Sequence, residues 1–191
     1  MKQVALAAIM IVLSIYGSAQ TAFIQWNEHR PLTWADFTGT EDASSMFDAE
    51  SSSEITYSYT FNSLSEYTFD VKAKFLKNRS WYRQKAITPA LLQHEQVHFD
   101  IAQLYATRLK QALESYRYTD NFKQEIEQVA ERYKSEYQLM QKLYDEETNH
   151  STVAAKQRQW ESLIRQEINL AKQQSAYPNS ANNTTALTVN N

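Results

Sequence analysis

Residues 88–116 read TPALLQHEQVHFDIAQLYATRLKQALESY and predict a long helix around which the rest of the fold is built. Thr88 is a residue type that caps helix N-termini, and Pro89 suits the first helical position. Apolar residues and two histidines then recur at helical spacing; they are Leu91, His94, Val97, His98, Ile101, Leu104 or Tyr105, Ala112 and Leu113. We therefore expect a helix from Pro89 to about Tyr116 with one face turned inward.

Two further helices follow, and at least two strands come before. Asp120 can cap the second helix, and a third helix covers about 154–173. The inward stripe of the second helix is Phe122, Ile126, Val129, Tyr133, Tyr137, Met140 and Tyr144. Residues 54–61 and 67–76 alternate apolar and polar side chains, which predicts a hairpin of two strands, and 80–84 reads as a third short strand. Strands followed by helices predict an α+β domain, a small antiparallel sheet packed on a three-helix unit.

The N-terminus is typical of a secretory signal. Lys2 precedes an apolar run from Val4 to Tyr16, and small residues follow at 17–19. The run is shorter than the roughly 20 residues that span a bilayer, so we expect a signal peptide over 1–19 that is cleaved. The mature protein would then be periplasmic or secreted, with no stable membrane span. We expect a single domain over 20–175 and a disordered polar tail over 176–191.

Composition narrows the possible chemistry. The chain has no cysteine, which excludes disulfides, thiolate ligands and a cysteine nucleophile. The net charge is -3 and the basic residues are scattered, so no nucleic-acid partner is indicated. Gly39 follows an aromatic segment, and we expect it to occupy a turn with a positive φ.

The sequence H-E-Q-V-H at 94–98 points to a metal site. His94 and His98 lie one helical turn apart, so both imidazoles project from one face and can hold one Zn²⁺. Glu95 lies about 100° away around the helix, where it can act as the general base on a water molecule rather than as a ligand. The simpler alternative is two histidines on an ordinary core stripe. A catalytic zinc also needs a third protein ligand.

The third ligand is expected near the end of the second helix. If the first two helices form an antiparallel hairpin, residues 144–151, YDEETNHS, lie beside the start of the first helix. Glu147 continues the inward stripe, Asp145 points to its side, and His150 lies just past the helix end. His29, in the aromatic N-terminal segment, is a poor candidate. Asp100, on another face of the helix from His98, is more suited to a structural hydrogen bond.

Five stretches taken together resemble a known family. They are RPLTWADFTG, AESSSEITYSY, LLQHEQVHFDIAQLYATRL, YDEETNHS and QRQW. Over about residues 26–165 the chain resembles the DUF922 family, bacterial secreted proteins described as predicted zinc-dependent proteases. The resemblance implies a zincin-like helix carrying His94 and His98, with Glu95 as general base.

The resemblance also bears on the third ligand. A Y-D-x-x-T-x-H element matches Tyr144, Asp145, Thr148 and His150. It favours His150 or Asp145 over Glu147, and of the two we expect His150, because imidazole suits zinc and the adjoining loop gives it freedom. Asp145 would then orient an imidazole, and Tyr144 would donate to an oxyanion. Where Ser151 stands, the family pattern leads us to expect a glycine.

These observations predict a zinc metallopeptidase that hydrolyses a peptide or protein substrate, held by strand addition at an edge of 54–61 or 67–76. Two alternatives remain open at this point. One is an envelope binding or assembly protein with a structural or vestigial metal site. The other is a metal-dependent amidase that acts on cell-wall material.

Overall fold

The computed structural model describes residues 22–176, and the chain within them is an α+β domain. The strands are β1 (Phe23–Gln25), β2 (Ala49–Glu50), β3 (Ser53–Ser63), β4 (Glu66–Leu76) and β5 (Trp81–Tyr82). The helices are α1 (Pro89–Ser115), α2 (Phe122–Thr148) and α3 (Ala154–Ala176). The predicted signal peptide, and the predicted tail beyond Ala176, lie outside the described residues. No helix between residues 22 and 176 is long and apolar enough to cross a membrane.

The strands form two small antiparallel sheets. β3 and β4 make the predicted hairpin, in which Tyr57 pairs with Val71, and β1 pairs with the other edge of β4. β2 and β5 pair separately, Ala49 with Tyr82 and Glu50 with Trp81. β5 was expected as a third strand; β1 and β2 were not expected, because runs of three and two residues are too short to show alternation.

Helix α1 lies between the sheet and the other two helices. The Thr88 hydroxyl accepts a hydrogen bond from the Leu91 amide at 3.0 Å, which is the expected N-cap. One side of α1, including Phe99 and Ala102, packs on Phe75 of β4. Another side, including Val97 and Ile101, packs on Trp160 and the following turns of α3. Burial on both sides holds α1 firmly in place.

Helices α1 and α2 form the expected antiparallel hairpin. The N-cap position of the second helix is Asn121 rather than Asp120, and the Asn121 side chain makes no capping hydrogen bond. The end of α2 returns to the beginning of α1, since the Tyr144 hydroxyl lies 3.3 Å from the His94 carbonyl oxygen and the Gln141 amide donates to the His98 carbonyl at 2.9 Å. The hairpin thus brings 141–148 beside 94–98.

Gly39 is needed for a different reason from the one expected. No glycine in residues 22–176 has a positive φ. Instead, a Cβ atom at Gly39 would lie 2.8 Å from the Ser80 carbonyl oxygen and 3.0 Å from that of Asn78. The Gly39 amide also donates to the Ser80 carbonyl at 2.8 Å. Close backbone approach, which a side chain would block, is what requires glycine here.

Candidate metal centre

Three potential ligand atoms converge where α1 and α2 meet. The Nε2 atoms of His94 and His98 are 3.2 Å apart. Oδ1 of Asp145 lies 3.2 Å from the first and 3.0 Å from the second. Among residues 22–176 these side chains form a group that could hold a metal ion. Both helices place them, because 94 and 98 are one turn apart on α1 and Asp145 faces them from the last turns of α2.

Two glutamines fix the tautomer of the histidines. The Gln141 amide nitrogen donates to the His98 carbonyl, which turns its oxygen toward His98 Nδ1 at 2.6 Å. Nδ1 of His94 lies 3.1 Å from the Gln157 side-chain oxygen. Because an amide oxygen only accepts, both Nδ1 atoms carry their protons and both Nε2 lone pairs point at Asp145. Histidine ligands are ordinarily oriented in this way.

Tyr144 supports this arrangement from below. Its ring is fully buried, stacks on the His94 imidazole at 4.7 Å between centroids, and meets the His98 ring edge-on at 4.8 Å. Its hydroxyl donates to the Gln157 side-chain oxygen at 2.8 Å. Burial raises the pKa of Tyr144 well above its ordinary value, so the phenol stays neutral. Tyr144 therefore holds the histidines in place, and its buried hydroxyl does not point toward an oxyanion as expected.

The electrostatics of the group favour a bound cation. Burial opposes ionisation of Asp145, yet hydrogen bonds from His94 and His98, formed when their Nε2 atoms carry a proton, hold the pKa of this carboxyl far below its ordinary value. Burial likewise opposes the charged form of His98, but Asp145 and Glu95 outweigh it and raise the pKa of His98. With both Nδ1 atoms protonated, two lone pairs and a carboxylate face one another. Such a group is stable only with a proton or a metal ion among them.

The spacing of the three atoms fits a metal. Ligands bound to one first-row cation at about 2.0–2.2 Å stand roughly 3.0–3.4 Å apart. The observed separations of 3.0 and 3.2 Å fall in that range. The residues present therefore fit the ion that the H-E-Q-V-H sequence implies. Two histidines and one carboxylate are a ligand set used for zinc.

A cavity of about 670 Å³ opens beside the ligand atoms, and Glu95 lines it. Glu95 is only 3% exposed. Its charge acts on the neighbouring His98, whose pKa it helps to raise. A largely buried carboxylate is costly to maintain, so its presence next to the ligand group calls for a functional explanation.

One wall of the cavity is the chain from Met46 to Ser53, which runs through β2 into β3. The Ser52 backbone faces β4, since its carbonyl accepts from the Leu76 amide at 2.8 Å. Alternate residues of a strand turn their backbone groups to opposite edges, so those of Ser51 and Ser53 face the cavity side. The Tyr137 hydroxyl, which donates to the Ser53 carbonyl at 3.2 Å, agrees with this direction. β3 is an outer strand of its sheet, whereas β4 lies between β3 and β1.

The other ligand candidates lie outside the group. His150 was expected as the third ligand; it lies just behind Asp145, with Nδ1 3.4 Å from Asp145 Oδ1, and its side chain is 45% exposed. Asp145, expected to orient an imidazole, is instead the third member of the group that could hold a metal ion. Glu147 points away and accepts hydrogen bonds from Lys156 and Trp160 at 3.1 and 3.2 Å. His29 is exposed and pairs with Glu28 at 3.3 Å.

His150 lies outside the ligand group because of the backbone conformation at the end of α2. Asn149, His150 and Ser151 have φ values of 44°, 49° and 73°, and this left-handed turn carries the His150 ring against Phe47. Asp145, still within the helix, keeps its side chain directed at α1. Asp100 behaves as expected, since it accepts from Trp26 Nε1 and the Gln96 amide, each at 2.8 Å.

Sequence reasoning missed the two glutamines. Gln141 lies one turn before Asp145, and that spacing was the only signal for it. Gln157 begins the QRQW stretch at the start of α3. Nothing in a single sequence distinguishes a glutamine that orients an imidazole from one on a solvated helix face.

Comparison with known protein families identifies a match. The family described as "Bacterial protein of unknown function (DUF922)" matches residues 24–151. No curated protein and no solved structure matches the chain. The matched residues include both histidines, Asp145 and the wall at 46–53, so the candidate centre lies within the region that defines the family.

Proposed function

Since this chain belongs to the DUF922 family of bacterial proteins of unknown function, we propose from its site that it is an exported zinc metallopeptidase. The largely buried Glu95 carboxylate beside the ligand group carries the proposal. A site that only stabilises the fold has no need of a buried base at this position. Zincin-like placement of the helix, as the resemblance implies, and export, which is supported by the apolar run near the N-terminus, belong to the same proposal.

His94, His98 and Asp145 are the residues that would hold the ion. When bound there, Zn²⁺ supplies a positive charge that polarises a substrate carbonyl and makes a water molecule more acidic. Gln141 and Gln157 keep the imidazoles in the required tautomer, and Tyr144 fixes the plane of the His94 ring. These contacts prepare the site before substrate arrives, which is the main source of electrostatic catalysis.

Glu95 would move the proton. Its carboxylate oxygen takes a proton from the attacking water and later delivers it to the nitrogen of the departing amine. Because Glu95 lines the cavity together with the three ligand candidates, its carboxylate can face the water. The same residue therefore acts first as base and then as acid.

The edge of β3 would hold the substrate backbone. Backbone groups of Ser51 and Ser53 face the side on which the cavity lies, and strand addition there would align an extended peptide beside Glu95. Of the two edges expected from the sequence, 54–61 is therefore favoured over 67–76, because β3 begins beside the cavity and no residue of β4 lines it.

The test compares Glu95→Gln with the wild type on a diverse peptide library. Replacing the carboxylate by an amide removes the base and preserves volume, so kcat/KM should fall by about 100-fold or more while zinc content is unchanged. Glu147→Gln, outside the cavity, is the matched control and should retain activity. Equal cleavage by the Glu95→Gln protein and the wild type, or cleavage of purified peptidoglycan in place of peptides, would overturn the peptidase proposal.

A further inference from the structure

Two large apolar side chains stand exposed at the mouth of the cavity. Met46 is 90% exposed and Phe47 is 40% exposed, and both line the cavity. We refer to this pair as the lip. Single exposed apolar residues are ordinary, but an adjacent pair at the edge of a cleft is typical of a binding surface. Leu91, at the start of α1, lines the same cavity.

Arg83 holds the lip in place. Its guanidinium donates to the backbone carbonyls of Phe47 at 2.6 Å and Ser45 at 2.8 Å, and to the Glu41 carboxylate at 3.0 Å. Its own backbone amide donates to the Asp48 carbonyl at 2.7 Å. The Arg83 side chain is 16% exposed, and its charge-assisted bond to Ser45 is partly buried, whereas those to Phe47 and Glu41 lie at the surface. One residue of the chain that follows β5 thus fixes the whole 41–48 segment.

The lip is also connected to the ligand group. The Phe47 ring stacks on the His150 imidazole, with 4.3 Å between centroids, and His150 Nδ1 lies 3.4 Å from Asp145 Oδ1. The lip therefore lies one imidazole away from the proposed metal ligand. A substrate side chain next to the reacting bond would pass over Met46 and Phe47.

We propose that Met46 and Phe47 select peptides with an apolar side chain beside the scissile bond, and that Arg83 positions them. The selection rests on the proposed peptidase function. Exposed apolar surface supplies the attraction, since covering it removes that surface from water. Fixing the segment through Arg83 removes the ordering cost that a loose loop would add at binding. The described lining contains no Lys or Arg, so it offers no basic side chain to pair with acidic substrate side chains.

The test measures binding and cleavage separately. Zinc-loaded protein with Glu95→Gln is titrated with fluorescent octapeptides in which Leu, Phe, Ser or Asp occupies each position in turn. At one position we expect the apolar peptides to bind about 10-fold or more tightly than the Ser peptide, and Met46→Ser with Phe47→Ser to remove most of that ratio. Leu139→Ser, at an exposed leucine of α2 outside the cavity lining, is the control and should leave the ratio unchanged.

Each outcome decides one proposal. If the binding ratio is absent, or is unaffected by the lip substitutions, the proposal that the lip selects apolar side chains is wrong. The peptidase proposal still stands in that case if the wild type cleaves the peptides. A lip-dependent ratio without any cleavage by the wild type supports the lip as a binding surface and removes the peptidase.

Arg83→Lys tests positioning. Lysine keeps the charge and loses the planar group that reaches several carbonyls at once. The substitution should reduce the apolar ratio through KM with kcat unchanged, and should have no further effect when Met46 and Phe47 are already serine. An equal loss in both backgrounds would show that Arg83 supports the fold only, which would overturn its positioning role.

Discussion

At the scale of single residues, the neutral amides of Gln141 and Gln157 set the charge of the site. Each accepts from a histidine Nδ1, a position that a carboxylate often fills in metal sites. With neutral imidazoles, the charged groups are Asp145, Glu95 and the proposed divalent ion. Their charges of -1, -1 and +2 sum to zero. The ligand group and Glu95 are therefore neutral together when loaded, which suits their burial, while Asp48 and Glu50 add two further carboxylates to the described lining.

Asp145→Asn tests the ligand assignment. The substitution keeps the shape of the side chain and removes its negative charge, so zinc affinity should fall about 100-fold or more in a chelator competition titration. Glu147→Gln is the matched control, two residues further along α2, and should bind zinc as the wild type does. His150→Ala should lower affinity by less than about 10-fold, since His150 only contacts Asp145.

A different order of zinc affinities among these variants would change the ligand assignment. If His150→Ala abolishes zinc binding while Asp145→Asn leaves it intact, then the ligand expected from the sequence is the true one. If neither substitution matters, His94 and His98 are core residues and the metal proposal fails.

Spacing alone predicted His94 and His98 as metal ligands and Glu95 as the general base. An i, i+4 pair on a helix lies on one face whatever the tertiary structure, so no further information was needed. Asp145 and His150 could not be ranked in the same way. Their order depends on where α2 ends and on three left-handed residues, none of which is a glycine that would have marked the turn. The local sequence pattern was sufficient to predict the helices. The backbone conformation between α2 and α3 determined which side chain faces His94 and His98.

At the scale of elements, the junction of α2 and α3 carries backbone strain next to the site. The chain leaves α2 through Asn149, His150 and Ser151, and the His150 amide donates to the Asp145 carbonyl at 3.1 Å. Left-handed conformation costs a residue with a Cβ about 1–2 kcal/mol, less for asparagine. The junction lines the cavity and turns His150 toward Phe47, so this strain is located where the lip meets the ligand group.

Ser151→Gly should stabilise the protein. At φ 73° serine is strained and glycine is not. After the greater entropy of unfolded glycine is subtracted, the gain should be about 0.5–1 kcal/mol, or a Tm higher by about 2 °C. Ser151→Ala keeps the Cβ atom and should give no gain. Thermal unfolding followed by circular dichroism measures both, and equal Tm values for the two variants would contradict the strain.

The long elements were predictable, and the short ones were not. α1 carried its own start signal in Thr88 and Pro89, and the β3–β4 hairpin carried alternation over 54–61 and 67–76. β1 and β2 exist because tertiary packing places them beside β4 and β5. The sequence predicted a structural role for Gly39. The reason that glycine is required, close approach to the Ser80 and Asn78 carbonyls, depends on residues about forty positions away in the chain.

At the scale of the whole molecule, the candidate centre joins segments that are far apart in the sequence. α1 supplies two histidines, α2 supplies Asp145 and Gln141, and α3 supplies Gln157. The β2–β3 segment closes the cavity from the sheet side. The group therefore forms only when sheet and helices are assembled, so an ion bound there binds the folded state and not the unfolded chain.

Metal removal should consequently lower the stability of the entire domain. With free zinc at about 1,000 times its Kd, binding stabilises the folded state by about 4 kcal/mol, which for a protein of this size corresponds to a Tm shift of about 10 °C. We expect that shift when protein loaded with zinc is compared with protein treated with a chelator and dialysed. Asp145→Asn should show a much smaller shift, because its folded state gains little from the ion. Identical Tm values for loaded and stripped wild-type protein would show that no ion binds the assembled group, and the two histidines would then be explained by packing against Tyr144 alone.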